Sequence, residues 1–179
     1  MELAYISVDV ETAGPIPDRY ALLSIGACQV DDPARAFYTE LRPTTTEADP
    51  GALAVSGLVL EELAVTGEPP EEALPRFADW VEEVAAERRP VLVAFNAPFD
   101  WMFVADALHR FAGRNPFGHS ALDIKALAMG AAALSWADTS FGKLAARYGL
   151  TPSLPHHALE DARVQAELFR RILDSGGSP

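Results

Sequence analysis

The stretch Val8-Asp9-Val10-Glu11-Thr12-Ala13-Gly14 organises the chain. It completes a run of mostly apolar residues, from residue 3 to residue 10, that predicts the first β-strand. Side chains two residues apart in a strand point to the same side, so we expect Asp9 and Glu11 to project together. Two carboxylates placed side by side repel each other unless a cation lies between them. The sequence therefore predicts a cation site at the end of this strand.

The bulk composition is that of an ordinary soluble domain. Of 179 residues, 49% are hydrophobic and 22% are charged, and no apolar run has the length of a membrane span. We expect one domain over residues 1–175, with a flexible tail over 176–179 and no signal peptide. Cys28 is the only cysteine, so no internal disulfide can form, and we expect a buried, inert thiol. Together these features predict a cytoplasmic protein with no membrane partner.

The net charge of −12 is distributed unevenly along the chain. Residues 1–87 contain 18 acidic and 4 basic side chains, whereas residues 88–179 contain 8 acidic and 10 basic ones. This balance argues against a general binder of polyanions. Any contact with nucleic acid is expected to use the second half of the chain together with a local metal site.

Hydrophobic periodicity and turn signals predict a mixed α/β architecture. The predicted strands cover residues 3–10, 20–30, 34–41, 91–95 and 120–124, and the predicted longer helices cover 69–87, 98–112, 125–133, 139–148 and 158–173. Short helical pieces interrupted by Gly51, Gly57 and Gly67 are expected between residues 44 and 67. Three strands joined by short turns, followed by strands that alternate with helices, indicate a mixed five-stranded sheet with helices packed on it.

Two further carboxylates, Asp100 and Asp161, begin the apolar faces of predicted helices. The stripe after Asp100 contains Phe103, Val104, Ala107 and Phe111, and the stripe after Asp161 contains Val164, Leu168 and Ile172. Either residue alone would be explained as a first-turn Asp favoured by the helix dipole, worth ~0.3–1 kcal/mol. Both share an inward direction with Asp9 and Glu11, and this favours a common site.

A histidine stands close to the last of these carboxylates. His156 lies five residues before Asp161, in a loop that contains prolines, and a histidine there can titrate near neutral pH. We expect His157 to be a polar surface residue, and His109 and His119 to be structural or surface residues.

The donor set indicates the chemistry of the cation. Carboxylate oxygens suit hard divalent ions such as Mg²⁺ or Mn²⁺. Four carboxylates can hold two ions about 4 Å apart, the arrangement used for in-line displacement at a phosphodiester. A histidine beside such a site can take a proton from the attacking water, worth roughly 10²–10⁴-fold in rate.

Three motifs in order resemble those of the DEDDh family of 3′→5′ exonucleases. They are Asp9-x-Glu11, Asn96-x-x-x-Asp100 within Phe95-Asn-Ala-Pro-Phe-Asp, and His156-x-Ala-Leu-x-Asp161-Ala, and they span most of the chain. The family includes the epsilon subunit of DNA polymerase III, oligoribonuclease and ribonuclease T. The resemblance implies a three-layer ribonuclease H-like fold, with a mixed five-stranded sheet and helices on both faces. It also implies hydrolysis of single-stranded DNA or RNA from 3′ ends to 5′-mononucleotides.

The same resemblance implies a role for each site residue. Asp9, Glu11 and Asp161 would hold the ion that activates water, Asp9 would bridge to a second ion, and Asp100 would support that ion through water. His156 would be the general base. The residues implied to contact the substrate are Thr12, Gly14, Asn96, Phe99 and Phe117.

The match to ribonuclease T is partial. Phe99 and Phe117 match two of its base-stacking positions, but Pro15 and Val55 stand at the other two, so its RNA specificity is not implied. Ser24 stands where many family members have Glu, and Phe95 stands where many have His. Neither difference removes a metal ligand.

The sequence leaves two alternative functions and the oligomeric state open. One alternative is a non-catalytic scaffold, and the other is a partner-dependent proofreading module within a polymerase assembly. A homodimer is left open by analogy.

Overall fold

The computed structural model describes residues 2–176, and the expected flexible tail lies outside these residues from position 177 onward. The strands are β1 (Leu3–Thr12), β2 (Leu22–Gln29), β3 (Ala36–Glu40), β4 (Arg89–Ala94) and β5 (Ala121–Asp123). The α-helices are α1 (Pro50–Ser56), α2 (Leu60–Thr66), α3 (Pro70–Ala85), α4 (Pro98–Ala107), α5 (Ile124–Ala131), α6 (Phe141–Arg147) and α7 (Ala158–Gly176). A π-helical turn, Leu108–Ala112, continues α4, and a short 3₁₀ turn, Trp136–Asp138, precedes α6.

The five strands form one mixed sheet in the order β3-β2-β1-β4-β5. The first three strands pair antiparallel, whereas β4 pairs parallel with both β1 and β5. The parallel pairing of β4 with β1 requires a long crossover, and the segment containing α1, α2 and α3 provides it by connecting β3, at the edge of the sheet, to β4 beside β1. Because β1 and β4 run parallel, their carboxyl ends meet at one edge of the sheet. The predicted mixed five-stranded sheet is confirmed.

Helices cover both faces of this sheet. On one face Ile6, Val8 and Val10 of β1 pack in a core cluster with residues of α3 and α4. On the other face Tyr5 packs in a cluster built from α5, α6 and α7. Successive side chains of a strand alternate between faces, so Asp9 and Glu11 lie on the Tyr5 face, towards α7. The three-layer arrangement expected from the resemblance is therefore present.

The amino end of α7 lies directly on β2 at Gly26. Gly26 is the residue opposite Asp9 in the β1–β2 ladder. A Cβ atom built on Gly26 would lie 2.1 Å from the Ala158 carbonyl carbon and 2.1 Å from the Leu159 nitrogen. Only a residue without a side chain allows this approach, and it brings the first turn of α7 next to Asp9.

Several predicted element boundaries are wrong, for local reasons. Gly51 lies inside α1 rather than interrupting a helix, because the Asp49 side chain accepts a hydrogen bond from the Gly51 N–H at 2.8 Å and caps the helix there. The last helix continues beyond residue 173 to Gly176. The helix predicted over 98–112 changes from α to π geometry at Leu108. The 3₁₀ turn was not predicted.

Two other expectations concern burial and membranes. Cys28 is fully buried in β2, and burial raises the pKa of its thiol to about 12, as expected of an inert residue. Among residues 2–176, no helix combines the length and apolar character needed to cross a membrane.

We predict that Gly26→Ala lowers the free energy of unfolding by about 2 kcal/mol or more, because the new methyl group collides with backbone rather than with a flexible side chain. Thermal and urea unfolding measure the change. The matched control is Gly130→Ala in α5, where a Cβ meets nothing within 4 Å. That variant should be unchanged or up to about 1 kcal/mol more stable. Equal effects of the two substitutions would contradict the argument.

Candidate active site

Three carboxylates converge where the end of β1 meets the first turn of α7. One oxygen from each of Asp9, Glu11 and Asp161 lies within 4.8 Å of the other two. Asp161 is 2% exposed, and its Oδ1 has no hydrogen-bond partner among the described residues. A buried, unpartnered carboxylate oxygen beside two other carboxylates is the donor arrangement that hard divalent cations require. These residues fit the divalent metal that the sequence predicts.

Asp100 reaches the same site from the opposite side. It lies in the first turn of α4, is 4% exposed, and its Oδ1 accepts a hydrogen bond from the Val10 N–H at 3.1 Å. This bond connects the start of α4 to the end of β1. Asp100 borders the same cleft as the three carboxylates but is not part of their close cluster.

The four carboxylates share a raised proton affinity. Burial, followed by the charge of Asp161, raises the pKa of Glu11 to about 7. Burial raises the pKa of Asp100 to about 8, against the lowering effect of the Val10 hydrogen bond. The pKa of Asp9 lies well above its ordinary value because of burial and the charges of Asp100, Asp161 and Glu11. Burial also raises the pKa of Asp161, although the nearby His156 opposes this shift. A bound cation would relieve the repulsion that protons otherwise neutralise.

His156 and the β4–α4 turn complete an open cleft above the carboxylates. Its lining comprises Asp9, Val10, Glu11, Phe95, Asn96, Phe99, Asp100, Leu154, His156 and Asp161. The His156 side chain is exposed at this cleft, whereas the ring of His157 stacks on Tyr38 at 4.5 Å between centroids. The carbonyl of His157 accepts the Asp161 N–H at 2.9 Å. The two adjacent histidines therefore have different surroundings, and only His156 borders the cleft.

Of the residues expected to contact substrate, Asn96 and Phe99 line the cleft. Thr12 and Gly14 are buried and are not among its lining residues: the Thr12 hydroxyl donates to the Gly14 carbonyl at 2.9 Å, and a Cβ on Gly14 would lie 2.5 Å from the Tyr20 ring. Phe117 is 2% exposed and packs in the core near Phe77. Its ring is covered by protein, so the expected stacking on a base is not part of the function proposed below.

Gln165 is a site residue that the sequence analysis missed. Its side chain is 1% exposed; Nε2 donates to Asp9 Oδ1 at 2.5 Å, and Oε1 accepts the Phe95 N–H at 2.8 Å. One amide thus orients the Asp9 carboxylate and joins α7 to the end of β4. The available signal was its position, four residues after Asp161 and so one helical turn along the same face.

The family of the chain follows from comparison with known proteins. A family model described as Exonuclease matches residues 6–169. The chain belongs to this exonuclease family. The expectation of a 3′→5′ exonuclease of the DEDDh type is thereby confirmed, whereas the roles of individual residues stay predictions.

Individual relatives support this assignment. The chain is 44% identical to the 3′-5′ DNA exonuclease Cap18 of Escherichia coli, over 94% of this chain and 90% of that protein. It is 29% identical to ribonuclease T of Actinobacillus pleuropneumoniae serotype 5b, over 97% of this chain and 87% of that protein. The nuclease domain of 3′hExo, a DEDDh family member solved with rAMP, superposes with a TM-score of 0.75 at 13% identity, over 96% of this chain and 92% of that one. This last likeness shows a shared fold, which confirms the expected ribonuclease H-like architecture.

We predict that Gln165→Leu reduces metal affinity or activity roughly 10- to 100-fold, because Asp9 loses the donor that orients it. The Phe95 N–H also loses its acceptor, so stability falls by about 1–3 kcal/mol. Isothermal titration with Mn²⁺ and thermal unfolding measure the two effects.

The matched control for this prediction is Gln29→Leu. Gln29 is 6% exposed and lies opposite Ile6, farther along the same ladder from Asp9. The Gln29→Leu variant should have a lower free energy of unfolding but an unchanged affinity for Mn²⁺. Unchanged Mn²⁺ binding in Gln165→Leu would contradict the orienting role.

We predict that the metal-free protein loses stability as the pH rises from about 5 to about 9. Folding raises the pKa of Glu11 from 4.5 to about 7 and that of Asp100 from 3.8 to about 8, so the folded state binds more protons than the unfolded state within that window. The stabilisation is complete below the unfolded pKa values and is lost as the pH passes the folded ones. Thermal unfolding in a chelator should show this decline.

Addition of Mn²⁺ or Mg²⁺ should raise the melting temperature more at the alkaline end of this window than at the acid end. In Asp9→Asn, both the pH dependence and the shift on metal addition should shrink. A metal shift of the same size at both ends would argue against the carboxylate cluster as the binding site.

Proposed function

We propose that this exonuclease removes 5′-mononucleotides from the 3′ end of single-stranded DNA, with two divalent cations, Mg²⁺ or Mn²⁺, as cofactors. The observation that carries the proposal is the cluster of three carboxylate oxygens within 4.8 Å in a cleft that His156 also borders. DNA is proposed first because the 44% identical relative is named a DNA exonuclease. The unit proposed to act is the single domain over residues 1–175.

The four carboxylates would be shared between two ion sites. Asp9, Glu11 and Asp161 would bind one ion, and Asp9 together with the more distant Asp100 would bind the second. Bound ions supply a lowered pKa for water and charge stabilisation for the phosphate and the leaving oxygen. The Gln165 hydrogen bond to Oδ1 of Asp9 would hold this shared ligand in one orientation.

His156 would act as the general base. Its imidazole accepts a proton from the attacking water at an unprotonated ring nitrogen, and the water oxygen forms a new bond to phosphorus. The bond from phosphorus to the 3′ oxygen of the preceding nucleotide breaks, and that oxygen leaves with a proton from solvent. The position of His156 in a loop, rather than in the body of α7, leaves its ring free to follow the phosphate.

The terminal nucleotide would lie against Phe99 and Asn96. Phe99 is half-buried because its ring packs against Phe103 at 5.4 Å between centroids, so it offers a firm apolar wall. Asn96 is exposed in the turn after β4, where its φ of 65° is one that asparagine tolerates better than most residues. An unpaired 3′ end is proposed as the substrate because one strand must reach carboxylates that are largely buried.

We predict that His156→Ala lowers kcat roughly 10²- to 10⁴-fold, while His157→Ala, the matched control, stays near wild type. Asp9→Asn should remove detectable activity because it disrupts the shared ligand. The assay uses matched DNA and RNA oligonucleotides labelled at the 5′ end, with Mg²⁺ and with Mn²⁺. It reports polarity, sugar preference and minimum length from the ladder of products.

The proposal fails if purified protein degrades no DNA, RNA or short oligonucleotide with either metal. Activity that arises only after a polymerase fraction is added would instead support a partner-dependent proofreading module. Equal losses in His156→Ala and His157→Ala would overturn the assignment of the base. Sedimentation analysis tests the homodimer, which stays a prediction.

A further inference from the structure

Trp136 is displayed to solvent by a well-anchored turn. Its side chain is 60% exposed. The other two tryptophans, Trp80 in α3 and Trp101 in α4, pack against the core. The fully buried Thr139 donates from Oγ1 to the Trp136 carbonyl at 2.8 Å. Lys143 Nζ also donates to the Ala137 carbonyl at 2.9 Å. A fixed backbone that presents a large exposed ring loses little conformational entropy when the ring binds a flat partner.

Lys125 lies over this ring without a carboxylate partner. Its Nζ is 4.1 Å from the centroid of Trp136, and within residues 2–176 it forms no salt bridge. Most cations of this acidic chain are paired, as Lys143 is with Asp138 at 2.9 Å. Lys125 therefore keeps a positive charge available next to an exposed aromatic surface.

This pair is continuous with the catalytic cleft through Phe95. Lys125 Nζ lies 5.8 Å from the centroid of the Phe95 ring, and Phe95 lines the cleft that contains Asp9 and Asp161. The Phe95 ring also packs against Phe141 in an edge-on arrangement, at 5.4 Å between centroids. A single strand of nucleic acid that leaves the carboxylates on the side of Phe95 meets Phe95 first and then Lys125 and Trp136.

We propose that Trp136 and Lys125 form a subsite for a nucleotide upstream of the scissile phosphate, which would rest on the function proposed above. Trp136 stacks on a base of the single strand, and Lys125 binds the adjoining phosphate. An aromatic ring accepts any base on its face, and an ammonium group accepts any phosphate, so this subsite holds the strand without reading its sequence.

Two substrates separate this subsite from the catalytic centre. One is an oligothymidylate of about ten nucleotides. The other is the p-nitrophenyl ester of thymidine 5′-monophosphate, which has a hydrolysable phosphodiester but no upstream nucleotide. In Trp136→Ala the ratio of oligonucleotide KM to ester KM should rise roughly 5- to 100-fold. In Lys125→Ala the ratio should also rise, and the slope of log KM against log salt should become shallower by about 0.7.

The matched control for charge is Arg89→Ala, which removes a cation from the start of β4, at the other end of the strand from Phe95. It should leave both substrates as in wild type. If Trp136→Ala and Lys125→Ala behave like Arg89→Ala on the oligonucleotide, the subsite is refuted while the exonuclease proposal stands. If the wild type hydrolyses neither substrate, the proposed function itself fails. If Trp136→Ala changes the sedimentation mass but not the KM ratio, the ring belongs to an interface between copies, and the subsite is again refuted.

Discussion

The site depends on one close contact, that of the first turn of α7 with the backbone of β2. The contact exists because Gly26 has no side chain: a Cβ there would lie 2.1 Å from main-chain atoms of Ala158 and Leu159. Gly26 is also the ladder partner of Asp9, so the same contact sets the distance between strand and helix at the position of the first carboxylate. Asp161 and His156 flank Ala158 in sequence. The approach of Asp161 to Asp9 is a consequence of backbone packing rather than of mutual attraction, since these two carboxylates repel each other.

Hydrogen bonds from groups outside the cluster hold two of these carboxylates in position against the repulsion. Asp100 accepts a hydrogen bond from the Val10 N–H, and Asp9 accepts one from the side-chain amide of Gln165. Hydrogen bonds to charged groups contribute about 1.5–3 kcal/mol each, enough to offset part of the desolvation that raises the carboxylate pKa values. Gln165 also accepts a hydrogen bond from the Phe95 N–H, so one side chain connects the ends of β1 and β4 to the body of α7. These hydrogen bonds thus fix the orientation of two of the four carboxylates.

What the sequence could predict followed from local periodicity. The spacing of Asp9 and Glu11 on a strand, and the place of Asp100 and Asp161 at the start of apolar helix faces, each depend on a few neighbouring residues. What it could not predict depends on distant partners: Gln165 bonds a residue 156 positions away, and the ring of Phe117 is covered by a core that local pattern does not describe. The change to π geometry at Leu108 likewise had no signal in an uninterrupted apolar stripe.

The charge of the chain constrains how it can bind a polyanion. A net charge of −12 opposes long-range attraction of nucleic acid, and arginines such as Arg76 and Arg114 are already engaged by neighbouring carboxylates. Binding at the proposed site must therefore depend on short-range contacts, namely ions at the carboxylates, flat surfaces for bases and the ammonium group of Lys125. Few phosphate contacts mean few released counterions, so affinity should depend only weakly on salt. An exonuclease of this kind would hold the 3′ end of a strand and the few nucleotides next to it, because arginines elsewhere on the surface are already paired with carboxylates.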